Sequence, residues 1–555
     1  MASFISEPKN RGKGRHNGCR TSAVRTIIGQ ITTAMLPQTF KPDDIILKCI
    51  IYIFKEENLM NTLKRTLALA ATIAMAAASL ASCGDDQKTG TGNDTKTTTA
   101  AKETTTAADD NGEDTTEGDE VVPGQVSADV KTGGDTFTLA AWNHDDVPYL
   151  IAQWKNLDYD TIVEQLAEKK VEGVDFIDMN VKGGEAAEKF DQYFNDGTPI
   201  DVYFCEADWA LKYINDDTKT LALEKLGLTD EDFSSIYDYT DSIGQATEGK
   251  NAGKRVGVSW QAAAGGFAYR ADLAKEYLGV NSPAEMQDQI NDWDKFVEAA
   301  KKVSEKTNKG VALADSLGGL WQAFACERST PWVVNNKVEV DATCEKFANT
   351  VKELWDINAV AHNDQWTDEW TAAGVSSQTM GYFVSTWGFG GFFLDAAGGV
   401  DGAQYGNWAL CQGPTPFYWG GTWIVVNPAT DNGEEARDFI KSATCDYESM
   451  KEYAVKKPEY VNNSKVMDDL ISSNTVFNEK ISGNFADNQN YFAELASNAK
   501  SIDFKGLITP YDATLKALFA DAVRKQYIEG GKSWDETVDA FLDKAVEAAP
   551  DLDVD

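Results

Sequence analysis

The sequence predicts an α/β body built as two lobes, and three observations carry that prediction. Segments with strand-like alternation are separated by segments with helical spacing. Residues 136–555 hold most of the large apolar side chains and are long enough for two domains or lobes. The stretch before them is rich in Thr, Asp, Glu and Gly, too poor in apolar surface to fold, and so sets the boundary of the body near residue 135.

The first element is a strand, in which Phe137, Leu139 and Ala141 alternate up to Trp142-Asn143. Ile162, Val163, Leu166 and Ala167 then fall at helical spacing, and Val174–Val181 and Ile200–Cys205 read as the next strands. Further along, Trp293, Phe296, Val297, Ala300 and Val303 mark one face of a helix. Leu515, Leu518, Phe519, Ala522 and Val523 mark another, stopped by Gly530-Gly531. Ser533 and Glu536 form a capping box for a last helix carrying Val538, Phe541, Leu542 and Ala545. Such alternation predicts largely parallel sheets, with ligands beyond the carboxyl ends of the strands. That rule selects Trp142, Asn143, His144 and Asp145 after the first strand, and Glu206, Asp208 and Trp209 after Ile200–Cys205.

The N-terminal region is read separately. Lys64 and Arg65 precede an uninterrupted small and apolar run from Leu67 to Ala78, shorter than the roughly 20 residues of a spanning helix. It ends in Leu80-Ala81-Ser82-Cys83, which resembles a bacterial lipobox with cleavage before Cys83 and lipidation of its thiol. Residues 60–82 are therefore expected to be a lipoprotein signal peptide, and residues 1–59 a translated leader ahead of a start at Met60. Residues 83–135 would be the lipidated cysteine and a disordered tether reaching about 40 Å.

Composition removes several functions. A formal charge of −37 leaves no basic footprint for nucleic acid. The five body cysteines, at 205, 326, 344, 411 and 445, match no zinc or CxxC spacing, and Cys326 with Cys344 is one pairing open to an exported protein. His144 and His362 are the body's histidines, so neither a metal site nor a His-dependent triad is expected, and no cofactor is called for.

Several stretches, in order, resemble the family 1 extracellular solute-binding proteins of ABC transporters, members of which bind maltose and other oligosaccharides. Thr136–Trp142 is similar to the family's opening strand and Gly197-Thr198-Pro199-Ile200-Asp201-Val202 to its second-strand signature, with Leu221–Gly227 after it. Gly253–Trp260 followed by Gly266–Leu273 resembles the first interlobe crossing. Met380–Gly391 and Gly420–Val426 resemble later crossings, and Glu434–Ile440 the helix that follows. Arg270, where Asn or Lys is common, and the absence of a Pro near Ser259 depart from the pattern and blur the hinge positions. The resemblance implies a two-lobed periplasmic-binding-protein-like fold that closes on a ligand. Lobe 1 is expected at 136–258 and 388–422, and lobe 2 at 262–384 and 424–555. It also implies membrane permease subunits as partners, a monomer, and a location on the outer face of the cytoplasmic membrane.

Sugars present flat C–H faces and a rim of hydroxyls, matched by indoles beside carboxylates and amides. The expected ligand contacts are Trp142, Trp209, Trp260, Trp321, Trp387 and Trp419, with Asn143, Glu206, Asp208 and Gln261 as polar partners. Trp293 and Trp355 fall on helical stripes and are assigned to packing. A polyamine or other small cation, held by carboxylates and indole faces, is the alternative within the binding proteins. A glycoside hydrolase using paired carboxylates ranks below it, because acidic pairs arise by chance in so acidic a chain. Gly257-Val258-Ser259-Trp260-Gln261 fails G-x-S-x-G at its last position, Gly388-Phe389-Gly390-Gly391 is no dinucleotide fingerprint, and there is no P-loop. A surface adhesin, which needs no closing body, ranks last.

Overall fold

Two sheets organise the body in this computed structural model, which describes residues 122–474, 479–504 and 506–554. The strands are β1 (Phe137–Ala141), β2 (Val174–Asp178), β3 (Val202–Glu206), β4 (Gly257–Ser259), β5 (Gly265–Arg270), β6 (Val333–Val334), β7 (Lys337–Val338), β8 (Gly381–Ser385), β9 (Trp408–Cys411) and β10 (Thr422–Val426). The first sheet has the order β2-β1-β3-β10-β4, the second β8-β5-β9, and β6-β7 is a small hairpin.

The alternation seen in β1 has a physical reason. Phe137, Leu139 and Ala141 face a core shared with Leu150, Ile151 and Phe439, whereas Ala140 faces a second cluster around Phe190, Tyr203 and Tyr213. Helices therefore cover the first sheet on both sides. The helical stripes also fold as expected. Trp293–Lys306 is capped by Asp292, whose side chain accepts from the Lys295 N–H, and it buries Trp293, Phe296, Ala300 and Val303. Trp534–Ala548 opens with the capping box of Ser533 and Glu536.

Four expectations are corrected. The sheets are not largely parallel: β1 pairs in parallel with β2 and β3, but β10 runs antiparallel to β3 and β4, and β5 antiparallel to β8 and β9. The later lobe segments also change places. β9, expected in lobe 1 with 388–422, pairs with β5 in the second sheet, and β10, expected at the start of a lobe 2 segment 424–555, is an inner strand of the first. The helices Gly433–Ile440 and Ser464–Ser472 pack in the first core too, while Asp512–Ala522 and Trp534–Ala548 pack with the second. The tether does not run to residue 135. The Gly124 N–H donates to Gly227 O and the Ser127 N–H to Lys225 O (both 2.8 Å), and Val130 packs on the core. Two valines at 126 and 130 supply the apolar anchor that the polar composition around them hides. Finally, no disulfide joins Cys326 and Cys344. The leader, the signal peptide, Cys83 and the tether up to residue 121 lie outside the described residues.

Three extended segments cross between the two sheets side by side. The Trp419 N–H donates to Ala263 O (3.0 Å) and the Gly265 N–H to Phe417 O (2.8 Å). On the other edge, the Ala262 N–H donates to Tyr460 O (3.0 Å) and the Asn462 N–H to Trp260 O (2.7 Å). Gly265 is required there, because a Cβ would stand 2.2 Å from the Phe417 ring. A ribbon of this kind between rigid sheets is where backbone rotation in a two-lobed protein concentrates.

Candidate functional site

The crossings leave a cleft whose walls come from both lobes. β3 delivers Glu206 at its carboxyl end, and the turn into the helix Ala210–Ile214 presents Asp208. Opposite them, Leu317–Phe324 and the turn after it supply Trp321 and Arg328, and Asp512–Ala522 supplies Asp512 and Lys516. Gly420, at φ 71, lets the returning crossing pass close to Trp387 and Glu206. The cavity between these walls measures about 50 Å³. That is room for a few waters, against the roughly 300 Å³ or more of a small-molecule pocket.

Ion pairs span and line the cavity. Lys516 Nζ lies 3.1 Å from Asp208 Oδ2, joining the two lobes, and Arg328 Nη2 lies 3.5 Å from Asp512 Oδ2 with both side chains buried. The Arg328 guanidinium also sits over the Trp332 ring, 4.7 Å from its centroid. Burial pushes the Glu206 carboxyl well above the usual carboxylate range, and the charge of Asp208 adds to the shift. Burial likewise lifts Asp512 to about 6, with Arg328 pulling the other way. For Lys516 burial disfavours the ammonium, but Asp208 and Glu206 outweigh it and raise its pKa. Trp321 and Arg328 line this cavity, and their Nε1 and Nη1 are buried without a protein acceptor. A buried donor without an acceptor costs roughly 1–3 kcal/mol.

The structure gathers half of the expected contacts here. Asp208 and Trp321 line the cavity, and Glu206 stands beside Gly420, which also lines it. Trp387 and Trp419 stand at its side, with Trp387 Nε1 donating to Trp419 O (2.7 Å) and ring centroids 5.1 Å apart. The others have structural partners. Trp209 is core, against Phe190 and Tyr213, and Trp260 is core against Phe204. Trp142 is half-buried on the Phe190 cluster, and Asn143 exchanges hydrogen bonds with Asp146 at the start of the helix Val147–Lys155. Gln261 is buried in the hinge ribbon, where its Nε2 donates to Glu459 Oε2 (3.1 Å). Trp293 stacks on Phe324 and Trp355 on His362, which agrees with their assignment to packing. Sequence reasoning missed Arg328, Trp332, Asp512 and Lys516. Arg328 and Lys516 are isolated cations in an acidic chain, a weak signal, and nothing in their spacing tied residue 328 to residue 516.

A sequence profile described as bacterial extracellular solute-binding protein matches residues 161–478. No curated protein matches the chain. Among solved structures, an extracellular solute-binding protein family 1 structure superposes with a TM-score of 0.61 at 18% identity, over 75% of this chain and 100% of that one. The galacto-N-biose-/lacto-N-biose I-binding protein of the ABC transporter from Bifidobacterium longum, in complex with lacto-N-biose, gives 0.56 at 15% identity, over 76% and 100%. The ABC transporter associated binding protein from B. animalis subsp. lactis Bl-04, in complex with β-1,6-galactobiose, gives 0.54 at 17%, over 75% and 98%. At these identities the likeness shows a shared two-lobed fold.

Proposed function

The chain belongs to the bacterial extracellular solute-binding proteins, and from that premise we propose that it captures a sugar or oligosaccharide between its lobes for delivery to the permease of an ABC importer. The observation that carries the sugar reading is the lining of the cavity between the lobes, where the indoles of Trp321 and Trp332 stand with Arg328, Asp208 and Lys516, and where Trp321 Nε1 and Arg328 Nη1 have no acceptor in the protein. Sugar hydroxyl oxygens accept from such donors while C–H faces lie on the indoles. Relatives in fold that hold lacto-N-biose and β-1,6-galactobiose support the same class of ligand.

The cation alternative fits less well. An ammonium ligand brings donors and no acceptors, so it leaves Trp321 and Arg328 unsatisfied. Its natural partners are also engaged, Asp208 with Lys516 and Asp512 with Arg328. The function we assign is capture without bond-breaking, so Glu206 and Asp208 act as hydrogen-bonding groups and not as a glycosidase pair. Opening would part Asp208 from Lys516, and a ligand with acceptors and donors would replace both halves of that bridge. A lipid on Cys83, action as a monomer and a place on the outer face of the cytoplasmic membrane complete the proposal.

The test is a thermal-shift screen of the purified protein against mono- and oligosaccharides, polyamines and amino acids. A ligand binding only the native state raises the melting temperature with concentration. Stabilisation by sugars, reduced in Trp387→Ala, is the expected result; stabilisation by polyamines alone would refute it.

A further inference from the structure

We infer that Glu459 is a proton-operated latch on the hinge. Carrying its proton, it holds the two sheets in the arrangement seen here; losing it releases the hinge toward another arrangement, so that capture between the lobes depends on pH. The inference concerns the hinge and not the ligand, and it stands whether or not the solute is a sugar.

Glu459 is 3% exposed and lies between the helix Tyr447–Lys456 and the crossing at Tyr460–Asn462. That crossing is fastened on the side of the first sheet. Asn462 Nδ2 donates to Ser259 O (2.9 Å) at the end of β4, and Asn462 Oδ1 accepts from the Tyr237 N–H (3.1 Å). The Glu459 carboxylate reaches the other way. One oxygen accepts from the hydroxyl of Thr386, the residue that follows β8 of the second sheet. The other accepts from Gln261 Nε2 (3.1 Å), on the crossing from β4 to β5. One carboxyl group thus ties a segment anchored on each sheet to a segment running between them. Rotation of one sheet against the other about the ribbon moves Thr386 relative to Glu459.

The buried acids of the cleft have cations, Asp208 with Lys516 and Asp512 with Arg328. Glu459 faces none. Its charged neighbour is Asp146 before the helix Val147–Lys155, which is itself paired with Lys457 (3.1 Å). The other titratable groups around it are the phenols of Tyr453, Tyr491 and Tyr239, each from a different helix and each raised by burial, so that none ionises near neutral pH. Burial, with Asp146 adding to it, lifts Glu459 from 4.5 to about 7 against its three hydrogen-bond donors. Parting Thr386 from Glu459 removes one donor to the carboxylate but lets water reach it. Burial is the largest effect, so hydration wins and the pKa falls back toward 4.5. The arrangement seen here therefore holds the proton more tightly than a hydrated one. Its advantage is full below about pH 4.5, declines as pH rises toward 7, and is gone above that. Each unit of pKa difference between the two arrangements changes their equilibrium about tenfold.

Pulsed electron paramagnetic resonance tests this, with spin labels at Glu188→Cys and Glu298→Cys, exposed positions on a helix of each lobe. The unsubstituted chain, labelled alike, corrects for native cysteines. Without ligand, the ratio of the two arrangements should shift at least tenfold between pH 4.5 and 7.5 and level off above. In Glu459→Gln it should stay, at every pH, near the wild-type value at pH 4.5. Asp146→Asn removes the neighbouring charge, so its profile should level off at a lower pH with a smaller shift, and this variant decides the matter if Glu459→Gln does not fold. A wild-type ratio that does not move with pH overturns the inference. So does equal movement in Glu459→Gln, or an Asp146→Asn profile that matches the wild type.

Discussion

Glu459 offers a stability test built into the hinge. Its carboxylate is buried between the crossings, accepting from Gln261 Nε2 (3.1 Å), the Tyr460 N–H (3.1 Å) and the Thr386 hydroxyl. Burial dominates, and the pKa rises from 4.5 to about 7 despite those donors. A raised carboxyl pKa means that the folded state holds its proton more tightly than the unfolded chain does. The associated stability is fully present below about pH 4.5, declines as pH rises through 7, and is absent above it. At 1.36 kcal/mol per unit, the swing is about 3 kcal/mol. Glu459→Gln removes the titration. The new amide oxygen accepts from Thr386 and Tyr460, and its NH₂ reaches Gln261 once that side-chain amide turns over. The assay is differential scanning calorimetry of both proteins from pH 4.5 to 8. The melting temperature of the variant minus that of the wild type should climb with pH by roughly 3–4 °C for a body of this size. A difference that stays flat across the range would refute the argument that Glu459 is held protonated by burial.

Three other outcomes follow from the same contacts. Trp260→Ala empties a core position and should cost about 3–5 kcal/mol of stability by denaturant titration, while any sugar affinity of the folded fraction stays unchanged. Asp201→Ala removes the acceptor for the Thr138 N–H (2.7 Å), Thr430 Oγ1 (2.6 Å) and Asn432 Nδ2 (3.2 Å); the donors left unsatisfied should lower stability by about 2–4 kcal/mol in the same titration. Lys516→Met leaves Asp208 and the buried Glu206 without their cation and should lower stability by about 1–3 kcal/mol in the same titration, and weaken sugar binding measured by titration calorimetry.

The legible parts of the fold were those where local pattern and tertiary packing agree. The Trp293 stripe and the Ser533–Glu536 capping box state their structure in consecutive residues, and both folded as read. The crossings into β5 and into β10 were legible as well, but the one expected at Met380–Gly391 is absent, because β8 and β9 both belong to the second sheet; the crossing at Tyr460–Asn462 was missed, and so was the assignment of β9 and β10 to sheets. A strand at a crossing reads the same whichever sheet accepts its hydrogen bonds, and the choice is made by partners such as Tyr269 for β9 and Cys205 for β10. Among the site residues, a Trp in a loop was a poor guide to exposure. Trp209 and Trp260 lie just past strand ends, yet large rings there complete the packing under the sheet. The exit of β3 was better marked, since a carboxylate pair beyond a strand has no apolar core to serve. The cation that answers it, Lys516, comes from a helix far along the chain, and only the tertiary structure puts it opposite Asp208.

A crystal structure grown with the sugar that most raises the melting temperature would test the central claim directly. The account predicts the sugar between the lobes, its oxygens accepting from Trp321 Nε1 and Arg328 Nη1 and one ring face on Trp387. Sugar bound elsewhere on the surface, with those two donors still unsatisfied and the cleft empty, would contradict it.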